Sequence, residues 1–263
     1  MRGIQVDPEY RDHRKFLAYP TLDNPTMENP LAHYARVGKP LPKTLLGYTP
    51  QKNETENNLI SNTAIKLKEI PFDYLDVTAV HISALDYASQ TRLPSFFRQG
   101  HVATVSLLAS DEYMNSLKWD TFPTIVTGIN AFICTETQLR DLFLGRSSDL
   151  VEMSSQLAVY GLEYVVIQTN QRRYLICDHL AKKRFEIPQY GSRVIDPTGS
   201  LDVFCGGFLA GLRESHQPVL AAMKGSISAS FADEGSGPFY CTDSLPALVN
   251  ARLEAIRSMV IEI

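Results

Sequence analysis

From residue 77 to residue 232, short apolar runs alternate with longer segments of helical spacing, and few folds accommodate that alternation. The spacing predicts buried strands over 77–83 (VTAVHIS), 102–108 (VATVSLL) and 164–168 (YVVIQ), with 174–177 returning beside the last as a hairpin. Between and after them, helices are expected over 57–68, 89–99, 136–144, 150–160, 203–212, 219–232 and 244–259, with an apolar segment at 125–133 and Gly161 as a C-cap. Strands separated by helices of this length point to an α/β protein whose central sheet is largely parallel and flanked by helices.

The N-terminal part follows a different rule. Six prolines (Pro20, Pro25, Pro30, Pro40, Pro42 and Pro50) each fix φ and remove a backbone donor, so this stretch cannot form a long helix or a central strand. Residues 1–55 are expected to form an irregular arm or lid, with one short helix at 31–37, and residues 56–263 the α/β domain. The alternative is a variable surface loop.

Composition excludes several function classes. The 25 Lys+Arg against 29 Asp+Glu leave a formal charge of −4, so no positive excess recruits nucleic acid. No apolar run reaches the length of a membrane span, and the charged N-terminus lacks a signal-peptide core. Cys134, Cys177, Cys205 and Cys241 are far apart and the histidines do not cluster near them, which argues against zinc or a disulfide framework and for a reducing, cytoplasmic setting. His81 in an apolar strand reads as a core histidine, and Lys182, Lys183 and Arg184 as a solvated edge.

Chemistry concentrates where glycine does. Seven of the 15 glycines fall between Gly199 and Gly237, in the part of the chain that must turn tightly or approach something closely. There an apolar lead ends at Asp196, a turn follows through Pro197, Thr198 and Gly199, and a helix of small residues starts near Ser200. The first amides of a helix have no partner within it and lie at the positive end of its dipole, an arrangement suited to a phosphoryl group. Asp202 falls in the first turn, where the dipole favours its charged form. A carboxylate beside an anion-binding turn can accept a hydroxyl proton while the amides stabilise charge on a transferring phosphate. The bland reading is a helix-terminal charge followed by a Gly-Gly pair that lets helices pack.

The string D-P-T-G-S-L-D followed by V-F-C-G-G-F resembles the second signature of the ribokinase (PfkB-type) carbohydrate kinase family, whose usual form is D-T-x-G-A-G-D before an apolar, glycine-containing helix. The resemblance extends to VTAVHIS, YVVIQTNQRRYLICD and FADEGSGP. It implies a ribokinase-like fold and an ATP-dependent phosphotransferase acting on a hydroxyl of a sugar or similar small molecule, with Mg²⁺ and, in some members, a monovalent cation near Asp196 and Thr198. It makes Asp202 the catalytic base and the amides of Gly199, Ser200 and Leu201 the anion hole. Asp196, Thr198, Asn170 and Gly225 would lie toward the nucleotide, and no side chain is assigned as a direct metal ligand. A homodimer through lid strands is a further implication.

The sequence also departs from that pattern. Leu201 replaces a glycine in the turn. Asn170 and Arg173 stand where the hairpin after Ile167 usually carries glycines. Thr135 and Gln138 stand where the family has N-x-x-E, which loses a charge that helps organise Mg²⁺. Residues 1–50 resemble the middle of a family member, after its opening βαβ portion, so the residues that select substrate are expected to be largely absent and a sheet edge to need cover. These departures favour a competing reading, a catalytically impaired relative kept as a nucleotide- or sugar-binding or structural protein. A third is an unrelated α/β binding module in which Asp202 only caps a helix.

Overall fold

The computed structural model describes residues 16–21, 24–26, 29–48, 64–237 and 239–263. The chain divides into two compact units, Met1–Leu59 and Ile60–Ile263. In the first, strands β1 (Ala18–Thr21) and β2 (Asn24–Thr26) pair antiparallel. The short helix expected at 31–37 is α1, Pro30–Arg36. It starts where the Asn29 side chain accepts the Leu31 N–H at 2.9 Å and Pro30 occupies the first turn, where a missing donor is harmless.

The second unit is built on one sheet of seven strands: β3 (Ala79–Ile82), β4 (Thr104–Leu108), β5 (Ala131–Thr135), β6 (Tyr164–Thr169), β7 (Arg173–Asp178), β8 (Lys183–Pro188) and β9 (Ile261–Glu262), in that order across the sheet. The parallel expectation holds from β3 to β6, and three antiparallel pairings then extend the sheet to β9. Side chains alternate between two cores. Val165 and Ile167 face a core shared with helices α2 (Tyr87–Phe97), α3 (Phe122–Val126), α4 (Glu136–Leu142) and α5 (Leu150–Ala158). Tyr164 and Val166 face the other, shared with α6 (Ser200–Ser215), α7 (Pro218–Asp233) and α8 (Pro246–Arg257). Burial on both faces is why β6 reads as an unbroken β-branched run.

Helices α6 and α7 pack through small residues, as their sequences suggest. A Cβ on Gly225 would fall 2.8 Å from the Phe204 ring, so only glycine lets the two backbones come this close. Phe204 in turn stacks on Tyr174 of β7, with ring centroids 3.9 Å apart.

Two expectations need correction. The helix predicted at 57–68 is absent from its described part: residues 64–66 are not helical, and Leu67–Glu69 form a single 3-10 turn that ends at Ile70, extended ahead of Pro71. Its earlier residues, 57–63, lie outside the described residues. Strands β8 and β9 were not expected. The first is rich in charge, and the second is a two-residue pairing made only by the folded sheet.

Candidate active site

Arg213, near the end of α6, donates from Nε to the Thr78 hydroxyl at 3.0 Å, just before β3. Helix α6 therefore runs antiparallel to β3, and its N-terminus points toward the carboxyl ends of the parallel strands. In open α/β sheets that is where ligands bind. Asp111 follows β4 there, Thr135 ends β5 with Gln138 just beyond it, and Asn170 follows β6.

The turn ahead of α6 is fixed from both sides. The amides of Ile195 and Asp196 donate to the Asp233 carbonyl at the end of α7, at 2.7 and 3.3 Å. One carboxylate oxygen of Asp196 accepts the Thr198 N–H at 3.0 Å, and the other accepts the Ser236 hydroxyl at 2.8 Å. Burial alone would raise the Asp196 pKa. The hydrogen bonds from Thr198 and Ser236 outweigh it and hold the carboxyl below its ordinary value. Gly199 takes the left-handed conformation, φ +78°, as the residue preceding the helix, and no side chain occupies the space its missing Cβ leaves.

The amides of the expected anion hole divide. Ser200 donates to the Pro197 carbonyl at 3.2 Å, which closes the turn. Among the described residues, the N–H groups of Gly199 and Leu201 have no acceptor. Leu201 lies within the first helical turn, and its side chain packs against the α6–α7 core, so the residue that replaces a glycine does not crowd the turn.

Asp202 remains exposed at the surface. Partial burial of its carboxyl raises the pKa and outweighs the hydrogen bond to its own backbone amide. The net direction is opposite to the effect expected from the helix dipole, because desolvation dominates. A carboxylate that holds a proton more readily than usual is a better acceptor for a hydroxyl proton.

Other predicted residues fall into different roles. Asn170 sits at the tip of the β6–β7 hairpin and donates its N–H to Glu136 Oε2 at 2.9 Å. The left-handed residue of that hairpin is Arg172, φ +57°, so Asn170 does not replace a glycine conformationally. Arg173 lies on β7 and pairs with Glu186 of β8 at 3.6 Å. Gly225 is buried against Phe204 and serves the α6–α7 contact, where sequence position had it facing the nucleotide.

Sequence reading missed the partner of Gln138. Thr135 and Gln138 form a capping box: the Thr135 hydroxyl accepts the Gln138 N–H at 3.2 Å, and Gln138 Oε1 accepts the Thr135 N–H at 3.0 Å. The remaining Gln138 donor, Nε2, reaches Asp111 Oδ1 at 2.6 Å. Asp111 Oδ2 has no partner among the described residues, whereas the oxygens of Glu136 are taken by Arg140 and the Asn170 amide. Of these carboxylates, Asp111 therefore fits a divalent cation, through water. No group of three or more His, Cys, Asp or Glu among the described residues is gathered into a metal cage.

Comparison with known proteins bears on the fold. No family model matches the chain. It is 29% identical over 152 residues to a cytidine kinase of Thermococcus kodakarensis, covering 56% of this chain and 53% of that protein. The chain thus spans about half the length of the curated relative it matches. The nucleoside kinase of Methanocaldococcus jannaschii, an archaeal member of the ribokinase family, superposes with a TM-score of 0.55 at 20% identity, over 68% of this chain and 56% of that one. Arabidopsis thaliana ribokinase complexed with ribose and ATP gives 0.56 at 15% identity, over 72% and 58%. Vibrio cholerae O395 fructokinase, with fructose, ADP and calcium bound, gives 0.56 at 19% identity, over 72% and 65%. By fold, this chain is a ribokinase-like α/β protein.

Proposed function

We propose that the chain is an ATP-dependent phosphotransferase that phosphorylates a hydroxyl of a sugar or nucleoside-like small molecule. The observation that carries this reading is the left-handed Gly199 turn opening α6, with the Gly199 and Leu201 amides free among the described residues and Asp202 within the first turn. The kinases it resembles, and the ribose, ATP, fructose and ADP bound in two of them, support the reactant class.

In this reading Asp202 takes the proton of the acceptor hydroxyl as its oxygen bonds to phosphorus and the bond to the leaving phosphate breaks. The two free amides meet charge developing on the transferring group. Asp196 holds the turn in shape rather than touching the reacting atoms, because both its oxygens are occupied. Asp111 would hold Mg²⁺ through water, and the ion would supply positive charge to offset that of the phosphates. Residues 1–55 act as an arm or lid and 56–263 as the catalytic domain, a division supported by the compact units Met1–Leu59 and Ile60–Ile263. A reducing cytoplasm suits the four unpaired cysteines.

One observation favours a second reading, nucleotide binding without turnover: both polar atoms of the Gln138 side chain are engaged within the protein, so it cannot stand in for a metal-organising glutamate. The test separates the two. Millimolar Mg-ATP should raise the melting temperature by a few degrees, and a panel of sugars and nucleosides should reveal ATP consumption that Asp202→Asn reduces about 10²-fold or more. A thermal shift without turnover selects the second reading. No shift overturns both.

A further inference from the structure

Arg252 of α8 lies against the last turn of α7 and is 8% exposed. Its Nη1 donates to the Ser230 hydroxyl at 2.8 Å, and its Nη2 donates to both carboxylate oxygens of Glu234, at 2.7 and 3.0 Å. The guanidinium also lies over two rings, 4.0 Å from the Phe231 centroid and 4.9 Å from that of Tyr190. Residues 230, 231 and 234 occupy adjoining positions on one helix face, so a single side chain clasps the end of α7. Among the described residues Glu234 is its one ion-pair partner, and Nε has no acceptor. Desolvation offsets much of the attraction in a pair buried this far, so what it fixes is geometry more than stability.

The end of α7 that Arg252 clasps is also the part that holds the turn before α6. The Asp233 carbonyl accepts the Ile195 and Asp196 amides, and the Ser236 hydroxyl donates to Asp196. Glu234 stands between those two contacts in sequence. Tyr190 belongs to the segment that leads into the turn, where its own amide donates to the Ser226 hydroxyl at 3.0 Å. Arg252 therefore touches both segments that set the turn, the one that enters it and the one that latches it.

We propose that Arg252 is a positioning residue: by holding Glu234 and Tyr190 it keeps the Gly199 turn in the shape that receives an anion. The inference rests on the phosphotransferase reading for its ligand, the phosphates of a nucleotide. The planar fork is the working feature. A lysine at 252 would keep the charge, but its single ammonium cannot reproduce the fixed set of N–H groups that reaches Glu234 and Ser230 together.

Amide hydrogen exchange and Mg-ATP calorimetry on the full chain test this. In Arg252→Lys and in Glu234→Gln, the Ile195 and Asp196 amides should exchange about tenfold faster or more relative to the amides of β5 and β6, a selectivity that a uniform loss of stability does not produce. Both variants should bind Mg-ATP about three- to tenfold more weakly. Ser236→Ala, which cuts the latch directly, should reproduce both effects, and its combination with Arg252→Lys should cost less than the two losses added together. Should Arg252→Lys fail to fold, Glu234→Gln, which keeps an oxygen acceptor, carries the same test. Unchanged exchange at residues 195 and 196, acceleration spread evenly over the sheet, or full Mg-ATP affinity in both variants overturns the proposal while the parent still binds nucleotide. A parent that binds no Mg-ATP overturns the phosphotransferase reading instead, and the exchange rates then decide by themselves whether Arg252 holds the turn.

Discussion

The Gln138 side-chain amide donates to the Asp111 carboxylate at 2.6 Å, joining the loop after β4 to the first turn of α4. That contact puts a negative charge beside a position where the sequence carries only an amide. If Asp111 supplies the carboxylate for a bound cation, Asp111→Asn should weaken Mg²⁺-dependent nucleotide binding about tenfold, the scale of a lost outer-shell contact to a metal. Binding of nucleotide without Mg²⁺ should be nearly unchanged. Calorimetry with and without the metal reads the difference, and equal losses in both would remove Asp111 from the cation's surroundings.

Legibility from sequence follows how local each signal is. Strand β6 announces itself through YVVIQ because both of its faces are buried. The turn before α6 is readable because Asp196, Gly199 and Asp202 lie within seven consecutive residues and need no distant partner to form the motif. The Asp111–Gln138 contact spans 27 residues and exists only because β4 and β5 lie side by side, so no local pattern encodes it. Strand β8 was hidden for a related reason: Lys183 and Arg184 are exposed and read as an edge, and only pairing with β7 makes them a strand. The family resemblance placed Gly225 near the nucleotide, but its role is set by Phe204 across the helix interface.

Asp202 should show opposite effects on activity and stability. Its folded-state pKa is raised, chiefly by burial. The native state then binds the proton more tightly than the unfolded chain, so the contribution is most favourable in acid, below the unfolded value of 3.8, and declines as pH rises through the folded value. At pH 7 the charged carboxylate is therefore a liability, and Asp202→Asn should melt higher than the parent while turnover falls about 10²-fold or more. The gain in melting temperature should shrink toward pH 3. A variant that melts lower at pH 7 would contradict the direction of the shift.

Asp196 should behave the other way. Its folded pKa is lowered because hydrogen bonds from Thr198 and Ser236 exceed the opposing effect of burial. Its contribution is present above the unfolded value of 3.8 and is lost as pH falls through the folded value. Asp196→Ala should lower the melting temperature at pH 7, with the difference narrowing below about pH 4. It should also weaken nucleotide binding through a loosened turn. A constant difference across the acid range would show that the carboxylate's charge does not matter there.

Two glycines near each other in α6 and α7 should respond with opposite signs to the same added methyl group. A Cβ at Gly225 would sit 2.8 Å from the Phe204 ring and 2.9 Å from its carbonyl oxygen. The ring is held by its stack on Tyr174 and is fully buried, so it cannot swing away cheaply. Gly225→Ala should therefore destabilise by about 1–3 kcal/mol, the range for overpacking a close-packed interior. Gly206, on the exposed side of α6, has nothing within 4 Å of its added Cβ. There alanine only removes backbone freedom from the unfolded chain, so Gly206→Ala should stabilise by about 0.5–1 kcal/mol. Urea unfolding of both variants against the parent checks the pair. A neutral Gly225→Ala would mean that the α6–α7 contact is looser than these distances require, and a destabilising Gly206→Ala would mean that this face of α6 is covered in solution.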